Sequence, residues 1–166
     1  MAFETFFDNY FYDIMPVRRR SSMLINREID YAIRILRALA DGENHPIKPL
    51  CEEEDIPWSF GYKILGKLRN AGYVKSVSGV HGGCTLTVDL HEVTVLDIFR
   101  ILDDKPYINK CLGEGYICKW VVKKGHPCIV HRNLTVMQKE LDQILGSYDL
   151  DSLIFVDQTA GEQQEL

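Results

Sequence analysis

Between Ile56 and Val88 the chain carries no aspartate and no glutamate, although its 24 acidic residues outnumber its 19 basic ones and leave it at net −5. A surface that meets phosphate must exclude carboxylates, because each would repel the nucleic-acid backbone. Lys63, Lys67, Arg69 and Lys75 make this acid-free stretch a local basic island. The overall charge excludes a non-specific nucleic-acid coat, though not a confined basic face. Other absences narrow the class further. No run of about 18 apolar residues occurs, which argues against a transmembrane span and a membrane partner. No secretory pattern occurs either: the basic Arg18–Arg20 follow the aromatic cluster Phe3, Phe6, Phe7, Tyr10, Phe11 and Tyr12 instead of preceding an apolar core. An odd number of cysteines, five, then fits a reducing, cytoplasmic setting. There is no internal repeat.

What is present begins with 46% hydrophobic residues over 166 positions, enough for one domain, or for a small domain with an appended arm. The organising stretch is Pro57 to Leu86. Ile64, Leu65 and Leu68 recur at helical spacing, Gly72 ends that helix, and Tyr73-Val74 opens a strand. The glycine-rich run Val77 to Gly83 makes a tight turn, and Cys84 to Val88 returns as a second strand. Helix, strand, glycine tip and strand form the second half of a winged helix-turn-helix. The fold class expected is mainly α with a small β-wing.

Upstream, Asn26 to Asp41 reads as a helix capped by Asn26 and followed by Gly42. Ile47 to Asp55 reads as a second, with Glu52 to Asp55 as a solvated face. Downstream, Val93 to Leu102 is a helix, Tyr107 to Pro127 has no clear period, and Cys128 to Leu145 is a long helix stopped by Gly146. Its stripe of Val130, Leu134, Met137, Leu141 and Ile144-Leu145 exceeds what a winged helix needs, so a dimer follows. Residues 1–22 are an N-terminal extension, either a helix for a partner or a poorly ordered lead into Met23; the second reading is adopted. Residues 23–104 are the DNA-binding domain, 105–156 the cysteine loop and dimerisation helix, and 157–166 a polar tail.

Cys51 and Cys84 sit in patterned apolar elements and read as core. Cys111, Cys118, Cys128 and His131 are spaced C-x6-C-x9-C-x2-H. Three thiols and an imidazole near a helix start suit a soft metal or an iron–sulfur cluster, or stand as loop thiols without one. Zinc would fit the donor set, but tight C-x2-C knuckles are missing. Cys128 and His131 lie one turn apart without a third orienting group, which argues against an enzyme.

From Met23 to Ile154 the chain resembles the Rrf-type family of bacterial winged-helix regulators, whose members include IscR, NsrR and CymR. The match is carried by Asp30-Tyr31-Ala32, Lys63-Ile64-Leu65, Lys67 to Gly72, Ser76-Val77, Gly79, Gly82-Gly83, Leu86, Val93-Thr94-Val95 and the three cysteines before the long helix. The resemblance implies a homodimeric transcriptional repressor on a palindromic double-stranded operator. It further implies a [2Fe-2S] or [4Fe-4S] cluster on Cys111, Cys118 and Cys128, sensing redox, nitric-oxide or iron–sulfur status. The fourth ligand would be Asp30 from the other subunit, with His131 as the alternative. A cluster-free regulator responding to thiol oxidation or a protein partner is the competing reading. The expected DNA contacts are Ser59, Phe60, Tyr62, Lys63, Lys67 and Arg69 on the recognition helix, with Lys75, Ser76, Ser78 and His81 on the wing. Tyr62 stands where IscR-like proteins have a base-reading acid and Ser78 where the family has arginine, so the operator preference should differ.

Overall fold

The computed structural model describes residues 24–79, 82–102 and 107–156. The N-terminal extension (1–22), the polar tail (157–166) and His81 lie outside these residues. The order is α1 (Arg27–Ala38), α2 (Ile47–Glu53), α3 (Trp58–Asn70), β1 (Val74–Val77), β2 (Gly83–Leu86), α4 (Val95–Ile101), a 3₁₀ turn (Lys110–Leu112), α5 (Lys119–Lys124), α6 (Ile129–Ser147) and α7 (Leu150–Phe155). This is a mostly helical chain with a two-stranded antiparallel wing, the expected fold class.

Asn26 starts α1 as its sequence position suggests. Its side-chain oxygen accepts from the amides of Glu28 and Ile29 at 2.9 and 3.1 Å, satisfying two of the donors that a helix start leaves open. The helix closes at Ala38 rather than at Asp41. The Asp41 carboxylate instead accepts from the Glu43 amide and meets the His45 ring, both at 2.9 Å. α2 is also shorter than expected, because Asp55 takes a left-handed φ of 52° that no helix continues. The acidic run after it is only partly a solvated face. Glu54 is largely covered and its carboxylate pairs with Arg37 of α1.

α1, α2 and α3 bury Ile29, Ile35, Leu36, Leu50, Ile64 and Leu68 against Ile98 and Phe99 of α4. Each such side chain contributes about 1.5–3 kcal/mol on leaving water, and together they fix how α3 is presented. Cys51 and Cys84 belong to this core, both 2% exposed. The strands pair from Val74↔Leu86 to Val77↔Gly83, and His45 bridges to Cys84 as a further edge. Gly83 is required there: a Cβ would run into the His45 carbonyl, so any side chain would push the wing off its support.

The C-terminal part departs from the sequence reading in two places. The aperiodic segment between Tyr107 and Pro127 contains the 3₁₀ turn and α5. α6 runs through Gly146 to Ser147. Tertiary pairing ends it: Val95 donates to the Tyr148 carbonyl at 3.0 Å, and Leu150 to that of Val93 at 2.8 Å. The apolar stripe on α6 is divided. Leu145 is buried and Leu134 and Leu141 are half-buried. Val130, Met137 and Ile144, at heptad spacing, are 59%, 51% and 55% exposed.

Candidate nucleic-acid interface

α3 has two faces with different work. The inner one meets α1. Phe60 sets its ring edge-on to Tyr31, with centroids 6.0 Å apart. Lys63 donates to Glu28 at 2.7 Å. Lys67 lies 3.6 Å from the same carboxylate and donates to the Leu102 carbonyl at 2.6 Å. The Lys63 hydrogen bond, above the other influences, holds the Glu28 carboxyl below its ordinary range. The acid-free stretch therefore gains a carboxylate in space from a helix some 35 residues upstream.

The outer face carries Trp58, Ser59, Tyr62, Gly66 and Arg69. Trp58 and Tyr62, one helical turn apart, are 51% and 61% exposed. Their ring centroids lie 5.9 Å apart at a tilt of 39°. Tyr62, Gly66 and Arg69 face Ser76 of the wing across a shallow recess. Arg69 donates to the Ser76 hydroxyl at 3.4 Å, a long bond that ties recognition helix to strand. Lys75, Ser76 and Ser78 are all exposed along the wing.

Of the ten expected DNA-contacting residues, then, Ser59, Tyr62, Arg69, Lys75, Ser76 and Ser78 are exposed. Phe60, Lys63 and Lys67 turn toward α1, and His81 lies outside the described residues. Sequence reading passed over Trp58. The signal available was its i,i+4 spacing from Tyr62 in the first turn of an acid-free helix.

The cysteine segment is built differently. Cys111 lies in the 3₁₀ turn and its amide donates to Asn109 Oδ1 at 3.1 Å. Cys118 and Cys128 are the N-cap residues of α5 and α6, and neither start has a side-chain cap. All three are free, half-buried thiols. His131 is exposed on the first turn of α6, and Asp30 pairs with Arg34 at 3.0 Å. Within one chain the three thiols and His131 do not gather around a point that a single ion could fill. Among the described residues, only His91, Asp149 and Asp151 bring three donor atoms within 4.8 Å of one another. There Asp149 is already occupied as the cap of α7, accepting from the Ser152 amide at 2.7 Å and hydroxyl at 2.8 Å.

Residues 25–155 match the Rrf2 family, described as iron-dependent transcriptional regulators. The chain belongs to the Rrf2 family. An HTH-type regulator of Aquifex aeolicus is 25% identical over 138 residues, which cover 82% of this chain and 94% of that protein. IscR of Vibrio campbellii is 27% identical, over 66% of this chain and 62% of its own length. Among solved structures, the oxidized form of Staphylococcus aureus CymR superposes with a TM-score of 0.58 at 24% identity, covering 80% of this chain and 97% of that one. T. potens IscR gives 0.54 at 20% identity, covering 87% and 93%. At those identities the two structures establish the winged-helix fold alone. Rrf2 proteins are DNA-binding regulators of transcription and not enzymes, which bears out the reading of Cys128 and His131. No helix among the described residues is long and apolar enough to cross a membrane.

Proposed function

We propose that this Rrf2 protein is a cytoplasmic, homodimeric repressor whose DNA affinity responds to the state of its C-terminal cysteines. The observation that carries the reading is the joint presentation of the outer face of α3 and the strand β1 on one side of a rigid core. Residues 23–104 are the reading head and 105–156 the sensing and pairing arm. Helix residues specify sequence from the major groove, while wing and phosphate contacts fix register.

The exposed heptad of Val130, Met137 and Ile144 on α6 supports pairing with a second copy. Two recognition helices in two-fold symmetry would then read a palindromic operator with half-sites one DNA turn apart. The donor set supports an iron–sulfur cluster, either [2Fe-2S] or [4Fe-4S]. Cys118 and Cys128 are the N-cap residues of α5 and α6, and Cys111 lies within the 3₁₀ turn. They would hold the cluster with Asp30 of the partner subunit, His131 being the alternative ligand. Asp30 would have to leave Arg34 to do so. Such a cluster would supply reversible redox chemistry and a site for small oxidants. Its gain or loss would reshape the segment leading into α6 and so bias the spacing of the two reading heads.

The unconverged thiols of the single chain favour a second reading, in which the same cysteines respond by oxidation without a cluster. Purification without oxygen separates the two. Visible absorption with stoichiometric iron and sulfide, lost in Cys128→Ala, supports the cluster. A colourless protein that still binds DNA in a thiol-dependent way supports the second reading.

A further inference from the structure

We infer that Trp58 and Tyr62 form a specificity-determining pair that reads the C5-methyl groups of thymine in the major groove. The inference rests on the DNA-binding reading and deepens it by naming the chemistry of the bases recognised. Three observations lead to it.

First, both rings stand on the open side of α3 at its N-terminal end, which in helix-turn-helix proteins faces base edges. Second, the charged side chains of this helix pair with α1 or lie away from its start: Lys63 and Lys67 meet Glu28, and Arg69, near the helix end, makes one long bond to Ser76. The outer face near the helix start is therefore aromatic, with the Ser59 hydroxyl beside it. Third, the two rings hold each other at 5.9 Å and 39°, forming a tilted ledge wider than either alone. Trp58 and Tyr62 are the most exposed aromatic residues of this helix, and together they call for a nonpolar surface to cover them. In the major groove the thymine methyl is the nonpolar feature, and it separates thymine from cytosine. Lys48 and Glu52 of α2 line the same small hollow as Trp58. Their near-pairing at 3.9 Å leaves that rim without a strong net charge.

The test begins with duplexes enriched by the full-length dimer from a random pool. The best duplex is then remade with deoxyuridine for thymine, one position at a time, which deletes the methyl and keeps the pairing edge. The expected result is about a fourfold loss of affinity for each methyl covered by the ledge, at one or two thymines per half-site. In Trp58→Ala and Tyr62→Ser the thymine and deoxyuridine duplexes should bind equally. Melting temperatures show that each variant folds. Equal binding of the two duplexes by the wild-type protein overturns the proposal while leaving DNA binding intact. Failure to enrich any duplex overturns the DNA-binding reading and this proposal with it.

Discussion

Glu28, in the first turn of α1, holds Lys63 of the recognition helix at 2.7 Å and stands 3.6 Å from Lys67. One carboxylate thus restrains two of the cations nearest the DNA-reading surface. In Glu28→Gln Lys63 is released toward phosphate, while Lys67 keeps its bond to the Leu102 carbonyl, so affinity for any duplex should rise a few-fold. The slope of log K against log salt should steepen by about one. Stability should change by under about 1 kcal/mol, since the pair is solvent-accessible. The Glu28 carboxyl titrates below its ordinary 4.5 in the folded chain. Its share of stability is therefore fully present above that pH and is lost as pH falls through the lower folded value. Salt titrations of both proteins on one duplex check the first point, and acid unfolding curves the second.

Gly61 and Cys51 set how closely α2 and α3 cross. A Cβ on Gly61 would overlap the Cys51 sulfur, whereas the Cys51 Cβ itself would lie at an ordinary 3.8 Å. Gly61→Ala should lower stability by about 1–3 kcal/mol through overpacking. Adding Cys51→Ala removes the sulfur and should restore most of it. Urea unfolding of the two single variants and the double variant measures the coupling.

Gly66 is the opposite case. It lies in the middle of α3, where glycine weakens a helix by about 1 kcal/mol relative to alanine. Beyond its own helix, no atom of the described residues comes within 4 Å of the Cβ it lacks. Gly66→Ala should therefore raise the melting temperature. It should also weaken duplex binding at least several-fold, because the added methyl projects from the face proposed to meet DNA. Unchanged binding would remove Gly66 from the interface.

Burial divides the five thiols. It raises the Cys84 thiol to about 11 and pushes Cys51 upward too. Both should resist iodoacetamide at neutral pH in the native apo-protein, while the half-buried Cys111, Cys118 and Cys128 are alkylated. Mass spectrometry of peptides from native and urea-unfolded protein reads the difference, and labelling of Cys84 in the folded chain would contradict the packing described above.

Much of this molecule was legible in one dimension. Local signals placed the wing: Gly79 turns with a φ of 125°, and Gly82-Gly83 sit where side chains would clash. Asn26 capped α1 as its residue type demands. The heptad on α6 announced an apolar surface larger than one chain covers. The misplaced end of α6 has a tertiary cause. Gly146 looked like a stop, but the end of α6 is decided by pairing with residues 93–95, about 50 positions earlier.

The sequence by itself determined the recognition helix, the wing and the core around them, because periodicity, caps and glycine turns act over a few neighbouring positions. It also confined the three half-buried thiols to one segment. Only tertiary structure decided what the recognition helix offers outward. The absence of acids from Ile56 to Val88 promised free lysines, yet packing α1 beside α3 brought Glu28 onto Lys63 and Lys67. Electrostatic pairing acts through space, and that distance exists only after the apolar faces have been buried. With those cations drawn inward, the outer surface of α3 passed to Trp58 and Tyr62.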